Sequence, residues 1–378
     1  MLQGIRILDL SRVLAGPLAT MTLGDLGADV IKVERPGSGD ETRAWGPPFD
    51  DRGEAAYYLS VNRNKLSIAL DIDLDTDREI LNRLIEGADV VLDNYRRGTL
   101  ERKHLSPEGF LERHPKLIWC TVTGFGPDSD RPGYDYVVQA ESGWMAITGE
   151  TDGAPMKSGV ALADVIAGKD TAIAILAALQ ARVRLSSPRP LSDRRLFVSL
   201  RHSATAALVN VAQNVLVSGR DARRWGNGHP NLVPYQLFRA ADRHLVIAVG
   251  NDGQWRACCR ALSLPALGDD EDLATNRGRL GNRERVVGAL ATRLAERSAA
   301  EWIALLDAAG VPCGVVKGVQ ESLTEIEGSA CTGVAPALPG TVRLVPPMLD
   351  EHGALVRSSG WGAFGQLGGI ASQTGYSV

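Results

Sequence analysis

The chain has 378 residues, 44% hydrophobic and 23% charged, with a formal charge of −4. This is ordinary globular usage, too long for one comfortable core, and its interspersed acids and bases leave no Lys/Arg block that reads as a nucleic-acid footprint. No apolar run approaches the ~20 residues of a membrane helix, and the strand-like start at 2–10 lacks a signal peptide's basic segment. The expectation is a cytoplasmic protein with neither membrane nor nucleic acid as a partner. Cys120, Cys258, Cys259, Cys313 and Cys331 form no CxxC pair and have no His spacing that would complete a zinc site, which predicts reduced, mostly buried thiols and no metal.

In chain order, 5–10 (IRILDL), 17–26 and 29–34 (DVIKVE) read as strand, helix and strand, one βαβ unit. A second pass gives a strand at 66–70, a helix through Ile80, Leu81, Leu84 and Ile85, and strands at 89–92 and 117–122. Alternating strands and helices predict an α/β fold with a mostly parallel, Rossmann-like sheet. Residues 163–183 keep an apolar face at helical spacing through Ile166, Ile173, Leu176 and Leu179, and 185–195 reads as a Ser/Pro/Arg loop before a strand at 196–200. A helix is expected to follow through Leu216. After a Gly/Pro/Asn loop at 226–235, residues 237–249 read as a hairpin turning at Asp242 and Arg243. Helices at 254–262, 282–297 and 299–309 follow, the last with Ser298 as N-cap. The predicted division is a large domain over 1–200 completed by 330–378, a smaller α+β domain over 225–325, and linkers at 201–224 and 326–329.

Motifs narrow the chemistry. No GxGxxG follows the first strand, and GxxxxGK[ST], HExxH and GxSxG are absent, which disfavours nicotinamide, phosphoryl, zinc-hydrolase and serine-hydrolase readings. Asp164 stands out because 161–168 (ALADVIAG) sets a carboxylate among apolar residues where a helix begins, and helix amides favour an anion. By local pattern alone, an N-cap is the commoner role for such an Asp. Trp225 and Trp255 read as core or interface aromatics.

Six segments, in order, resemble class III CoA-transferases: 4–17 (GIRILDLSRVLAGP), 26–37 (LGADVIKVERPG), 131–135 (RPGYD), 159–168 (GVALADVIAG), 226–230 (GNGHP) with Pro234 and Tyr235, and 310–314 (GVPCG). The resemblance implies that Asp164 attacks an acyl-CoA thioester, giving an aspartyl anhydride and then an aspartyl-CoA thioester from which a small carboxylic acid takes the CoA. It implies acyl-CoA and coenzyme A as substrates, with no permanently bound cofactor. Tyr134 and Asp135 match a pair beside the nucleophile, and Gly226 and Gly228 match a mobile glycine loop over it, although such a stretch also reads as a simple linker. For CoA, the resemblance implies Leu14 and Ala15 beside it, Arg35 near its phosphates, and Leu70, Asp71, Ile72 and Asp73 along the nucleotide. Asn94, Tyr95, Arg96 and Arg102 match the next contact segment. His229 either positions an acyl carboxylate or braces its turn. An interlocked, ring-shaped homodimer is also implied.

The stretches 43–48 (RAWGPP) and 233–236 (VPYQ) resemble succinyl-CoA:glutarate-type members, which suggests succinyl-CoA as donor and dicarboxylates as acceptors. Departures lie at 186–190 (SSPRP), where the family has a Gly-x-Gly turn, and at 316–345, which looks shortened; 346–352 (PPMLDEH) again follows the family pattern. Two alternatives stay open on the sequence. An α-methylacyl-CoA racemase is opposed by Tyr134, where racemases carry a histidine, and a non-catalytic CoA-binding member is compatible with the departures.

Overall fold

A computed structural model describes residues 1–184, 189–325 and 340–367. Cys331 and parts of both departures, 186–188 and 326–339, lie outside the described residues. The described chain forms two compact units, one built from Met1–Met145, Lys157–Arg220 and the tail, the other from Ala146–Met156 and Asp221–Glu325.

In the first unit, β1 (Arg6–Asp9), β2 (Asp29–Glu34), β3 (Lys65–Ala69), β4 (Val90–Asp93), β5 (Ile118–Thr123) and β6 (Arg195–Ser199) form a six-stranded sheet. Its order is β3-β2-β1-β4-β5-β6 and every pairing is parallel, so the chain reverses direction across the sheet between β1 and β4. In open sheets of this order the carboxyl ends of the strands at that reversal bound a crevice where ligands bind. The fold is α/β, as the alternation of elements predicts.

Period-two alternation sends neighbouring residues to opposite faces. Ile7, Val30, Val90 and Ile118 pack beneath α1 (Ala15–Asp25) through Ala19 and Leu23, while Leu8, Ile31, Val91 and Trp119 pack against α2 (Asp75–Glu86) through Leu81, Leu84 and Ile85. Phe110 and Leu111 of α3 (Pro107–Arg113) join the second face. α4 (Asp135–Glu141) and the long α5 (Leu162–Arg184) cover the first, and their residues Val138, Ala167 and Ile175 are buried there. α6 (Leu200–Ala206) and α7 (Val209–Ser218) follow β6 and belong to this unit. The tail returns as well: Trp361 is buried in the second face and its indole N–H donates to Leu84 O at 3.0 Å.

The second unit holds the antiparallel sheet β7 (Tyr235–Arg239), β8 (His244–Ala248) and β9 (Cys313–Val315) in that order. β7 and β8 are the expected hairpin; the third strand has only three residues, one of them Gly314, and gives no alternation to read. Trp255 and Trp302 are fully buried in its core. Ser298 caps the helix Ala299–Ala308 through a capping box with Glu301. Among the described residues the four cysteines are free, and no helix is long and apolar enough to cross a membrane.

Candidate active site

Asp164 is the third residue of α5, inside its first turn. The residue is 9% exposed, and no described residue donates a hydrogen bond to its carboxylate. The cap of α5 comes from elsewhere: Asp135 Oδ1 accepts the N–H groups of Ala163 at 2.7 Å and Asp164 at 3.3 Å. Asp135 is itself fixed by Gln139, whose Nε2 donates to Asp135 Oδ2 at 2.7 Å and to Val160 O at 3.2 Å. Asp164 is therefore not the cap that the local pattern favours; it is a spare carboxylate on a helix start that another carboxylate already satisfies.

This environment disfavours the Asp164 anion. Burial, and then the negative charge of Asp135, push its carboxyl up from an ordinary 3.8 to about 7. A buried, unpartnered carboxyl with so raised a pKa is a candidate functional group.

Asp164 lines a cavity of about 580 Å³ together with Leu14, Ala15, Asn94, Tyr95, Arg96 and Tyr134. Seven of the residues singled out in the sequence thus share one cavity at the carboxyl ends of β1, β4 and β5. Arg12, Arg131 and Arg195, which sequence reasoning did not single out, line it too. α1 enters this wall at Leu14 and Ala15 without a side-chain cap, and no described residue accepts from the amides of Ala15 and Gly16. Its approach to α5 depends on Gly168, where a Cβ would sit 2.8 Å from Ala15 O.

Arg35 lines a second cavity of about 290 Å³, and Arg12, Glu41 and Tyr95 line both. Asn94 spends its side chain on the chain itself, accepting Arg12 N–H at 3.0 Å and donating to Arg12 O at 2.7 Å. Leu70 is buried in the sheet core. Asp71, Ile72 and Asp73 form the turn after it, where Asp71 N–H donates to Asp77 at 2.8 Å and Lys103 pairs with Asp73. Arg102 donates to Thr99 Oγ1 at 3.1 Å. None of these five lines either cavity.

Tyr57 is a further neighbour that the sequence did not mark. Burial and then the anions of Asp164, Asp135 and Asp40 push its hydroxyl to about 12, and its ring meets Trp45 edge-on at 5.1 Å. Its only sequence signal was proximity to the 43–48 segment.

Gly226 and Gly228 lie in the second unit, Gly226 with a left-handed φ of 57° that suits glycine. His229 Nδ1 accepts Asn231 N–H at 3.0 Å, which braces the turn and assigns the ring proton to Nε2. Burial and the nearby Arg283 keep this imidazole neutral at lower pH than usual.

The model of CoA-transferase family III matches residues 2–344 of this chain. The chain belongs to CoA-transferase family III. Among curated relatives, this family III transferase is 44% identical over 331 residues to the succinyl-CoA:glutarate CoA-transferase of Mus musculus, covering 86% of this chain and 74% of the mouse protein. It is 42% identical to the succinate–glutarate CoA-transferase of Agrobacterium fabrum, covering 86% and 82% of the two chains. Among solved structures, a CaiB/BaiF family protein from Brucella suis superposes with a TM-score of 0.80 at 36% identity, covering 94% of this chain and 98% of that one.

Proposed function

We propose that this CoA-transferase moves CoA from succinyl-CoA to a dicarboxylic acid such as glutarate, with Asp164 as the covalent carrier. The carrying observation is an aspartate that is 9% exposed as a residue, with a carboxylate free of hydrogen bonds from described residues, set in the wall of the large cavity. The dicarboxylate preference draws on the two relatives at 42 and 44% identity.

The Asp164 carboxylate attacks the thioester carbonyl; the tetrahedral adduct collapses to a mixed anhydride and releases CoA thiolate. The thiolate attacks the aspartyl carbonyl, freeing the donor acid and leaving an aspartyl-CoA thioester. The acceptor's carboxylate then attacks that thioester and expels the thiolate, which takes the acceptor's acyl group from the second anhydride and regenerates Asp164. Each collapse passes through an oxyanion, and the uncapped Ala15 amide in the cavity wall is the donor nearest in kind to what it needs. Asp135 positions α5, Tyr134 borders the acyl end, and Arg35 and Arg96 meet CoA phosphates. Leu70, Asp71, Ile72, Asp73 and Arg102 serve the nucleotide only if CoA binding draws their segments to the cavity. Gly226 and Gly228 are candidates for the family's glycine loop on the resemblance of their segment alone.

A second copy of the chain completes the enzyme. α7 supports this: Val209, Leu216 and Val217 are 69, 77 and 78% exposed, an apolar surface that needs cover.

The test is turnover with succinyl-CoA and a panel of acids, read as new acyl-CoA by chromatography, beside Asp164→Ala. Glutaryl-CoA formed by the native protein and absent with the variant supports the reading. Failure to transfer CoA to any dicarboxylate, with exchange of an α-proton for solvent deuterium instead, overturns it.

A further inference from the structure

The turn between β1 and α1 is held by ions from which water is excluded. Lys32 of β2 is fully buried; its ammonium donates to Ser11 O at 2.8 Å and to Asp40 Oδ2 at 3.1 Å. Asp40, also fully buried, accepts Val13 N–H through both oxygens at 3.2 and 3.3 Å, and Thr42 Oγ1 at 2.8 Å. Beneath them Asp9 accepts Ser11 N–H at 3.0 Å and is paired with buried Lys65 at 2.9 Å. Arg12, between Ser11 and Val13, is gripped on its N–H and C=O by Asn94. Three consecutive residues thus have backbone groups tied to side chains from β1, β2 and the loops after β2 and β4.

The conformation held there is one the chain would not keep alone. Val13 has φ of +72°, a left-handed value that a β-branched residue rarely adopts. Such strain persists only where the surroundings over-determine it. The turn also has no room to slide, since a Cβ at Gly16 would lie 2.3 Å from Ser11 Oγ. Nor does stability alone account for the ions: an apolar pair of similar volume commonly serves a core as well as a buried ion pair or better. What the ions fix is the aim of the next two residues, Leu14 and Ala15, which enter the cavity wall beside Asp164.

We propose that Lys32 and Asp40 are positioning residues that clamp the 11–13 turn so that the Ala15 amide, in the cavity wall, is held ready for the oxyanion formed at Asp164. The functional half of this rests on the transferase reading above; the clamp itself does not. Asp40→Asn keeps an oxygen for one N–H but removes the partner charge of Lys32. In that variant, kcat should fall by about 30-fold while the dissociation constant for CoA, by fluorescence titration, moves less than about threefold. Amide hydrogen exchange in the peptide spanning 10–16 should quicken about tenfold. Adding Val13→Gly should restore kcat by about fivefold or more without restoring the melting temperature, because glycine reaches positive φ unaided. A purely structural role would leave kcat tracking stability and give no such rescue.

A folded Asp40→Asn protein with native kcat and native exchange at 10–16 overturns the proposal. If the native protein shows no turnover, the transferase reading has failed and exchange alone decides whether the clamp exists. If Asp40→Asn does not fold, Val13→Pro takes its place: it removes the N–H and forbids positive φ while leaving Lys32 and Asp40 paired. Native kcat and native exchange in Val13→Pro overturn the clamp equally.

Discussion

On the proposed mechanism the raised pKa of Asp164 should set the pH dependence of transfer, because only its anion would attack a thioester. With the carboxyl near 7, kcat/KM for succinyl-CoA should rise tenfold per pH unit below the midpoint and level off above it. At about pH 5 the protein should retain about 1% of its plateau value. Two causes raise this group, burial first and the Asp135 charge second, and they can be separated by Asp135→Asn. The amide retains an oxygen for the Ala163 N–H, so α5 keeps its cap while the neighbouring anion disappears. Burial remains, so the midpoint should fall below about 7 but stay above the ordinary 3.8. Initial rates at subsaturating succinyl-CoA across pH, normalised to each plateau, read this directly. A native profile flat through neutrality, or a variant midpoint at or above the native one, would refute the reasoning.

The same shift is a stability statement. A carboxyl raised in the folded state binds its proton more tightly there than in the unfolded chain, so stability is full below about 4 and is lost as pH climbs through about 7. The gap from 3.8 to about 7 corresponds to about 4 kcal/mol, so Asp164→Asn should melt higher than the native protein at about pH 8 and alike at about pH 4; a lower melting point at the higher pH would contradict this. Gly168→Ala places a Cβ 2.8 Å from Ala15 O, and should cost about 1–3 kcal/mol in denaturant melts with a fall in kcat on the order of tenfold. Trp361→Ala should cost about 3–5 kcal/mol, by the same assay, since it empties the tail's anchor in the sheet core and leaves Leu84 O without its indole donor.

The sheet was legible because its strands carry continuous apolar runs, and β2 is found at 29–34, where the pattern sets it. What the pattern hides is why Lys32 sits in that run: its partners Ser11 and Asp40 come from other segments, and a charged residue in a buried strand looks like noise until they meet. The same limit applies at the site. The helix start at Asp164 was readable, but the cap that frees its carboxylate comes from Asp135, 28 residues before Ala163. Local spacing carries no trace of that bond, so the commoner role of N-cap was favoured there. α4 was missed for a related reason: Asp135–Glu141 is two turns long and buries Val138 and Gln139, too few positions to set a period. Family resemblance brought Asn94 forward as a ligand contact; it lines the cavity, and its amide also holds the backbone of Arg12, a bond that local spacing does not reveal.

Asp164 is proposed to carry CoA covalently. Intact-protein mass spectrometry after rapid quenching from succinyl-CoA tests it most directly, on the native protein and on Asp164→Ala. The expected result is a CoA-sized adduct on the native protein that glutarate discharges, and none on the variant. Turnover by the native protein with no adduct at any quench time, or the same adduct on Asp164→Ala, would contradict it.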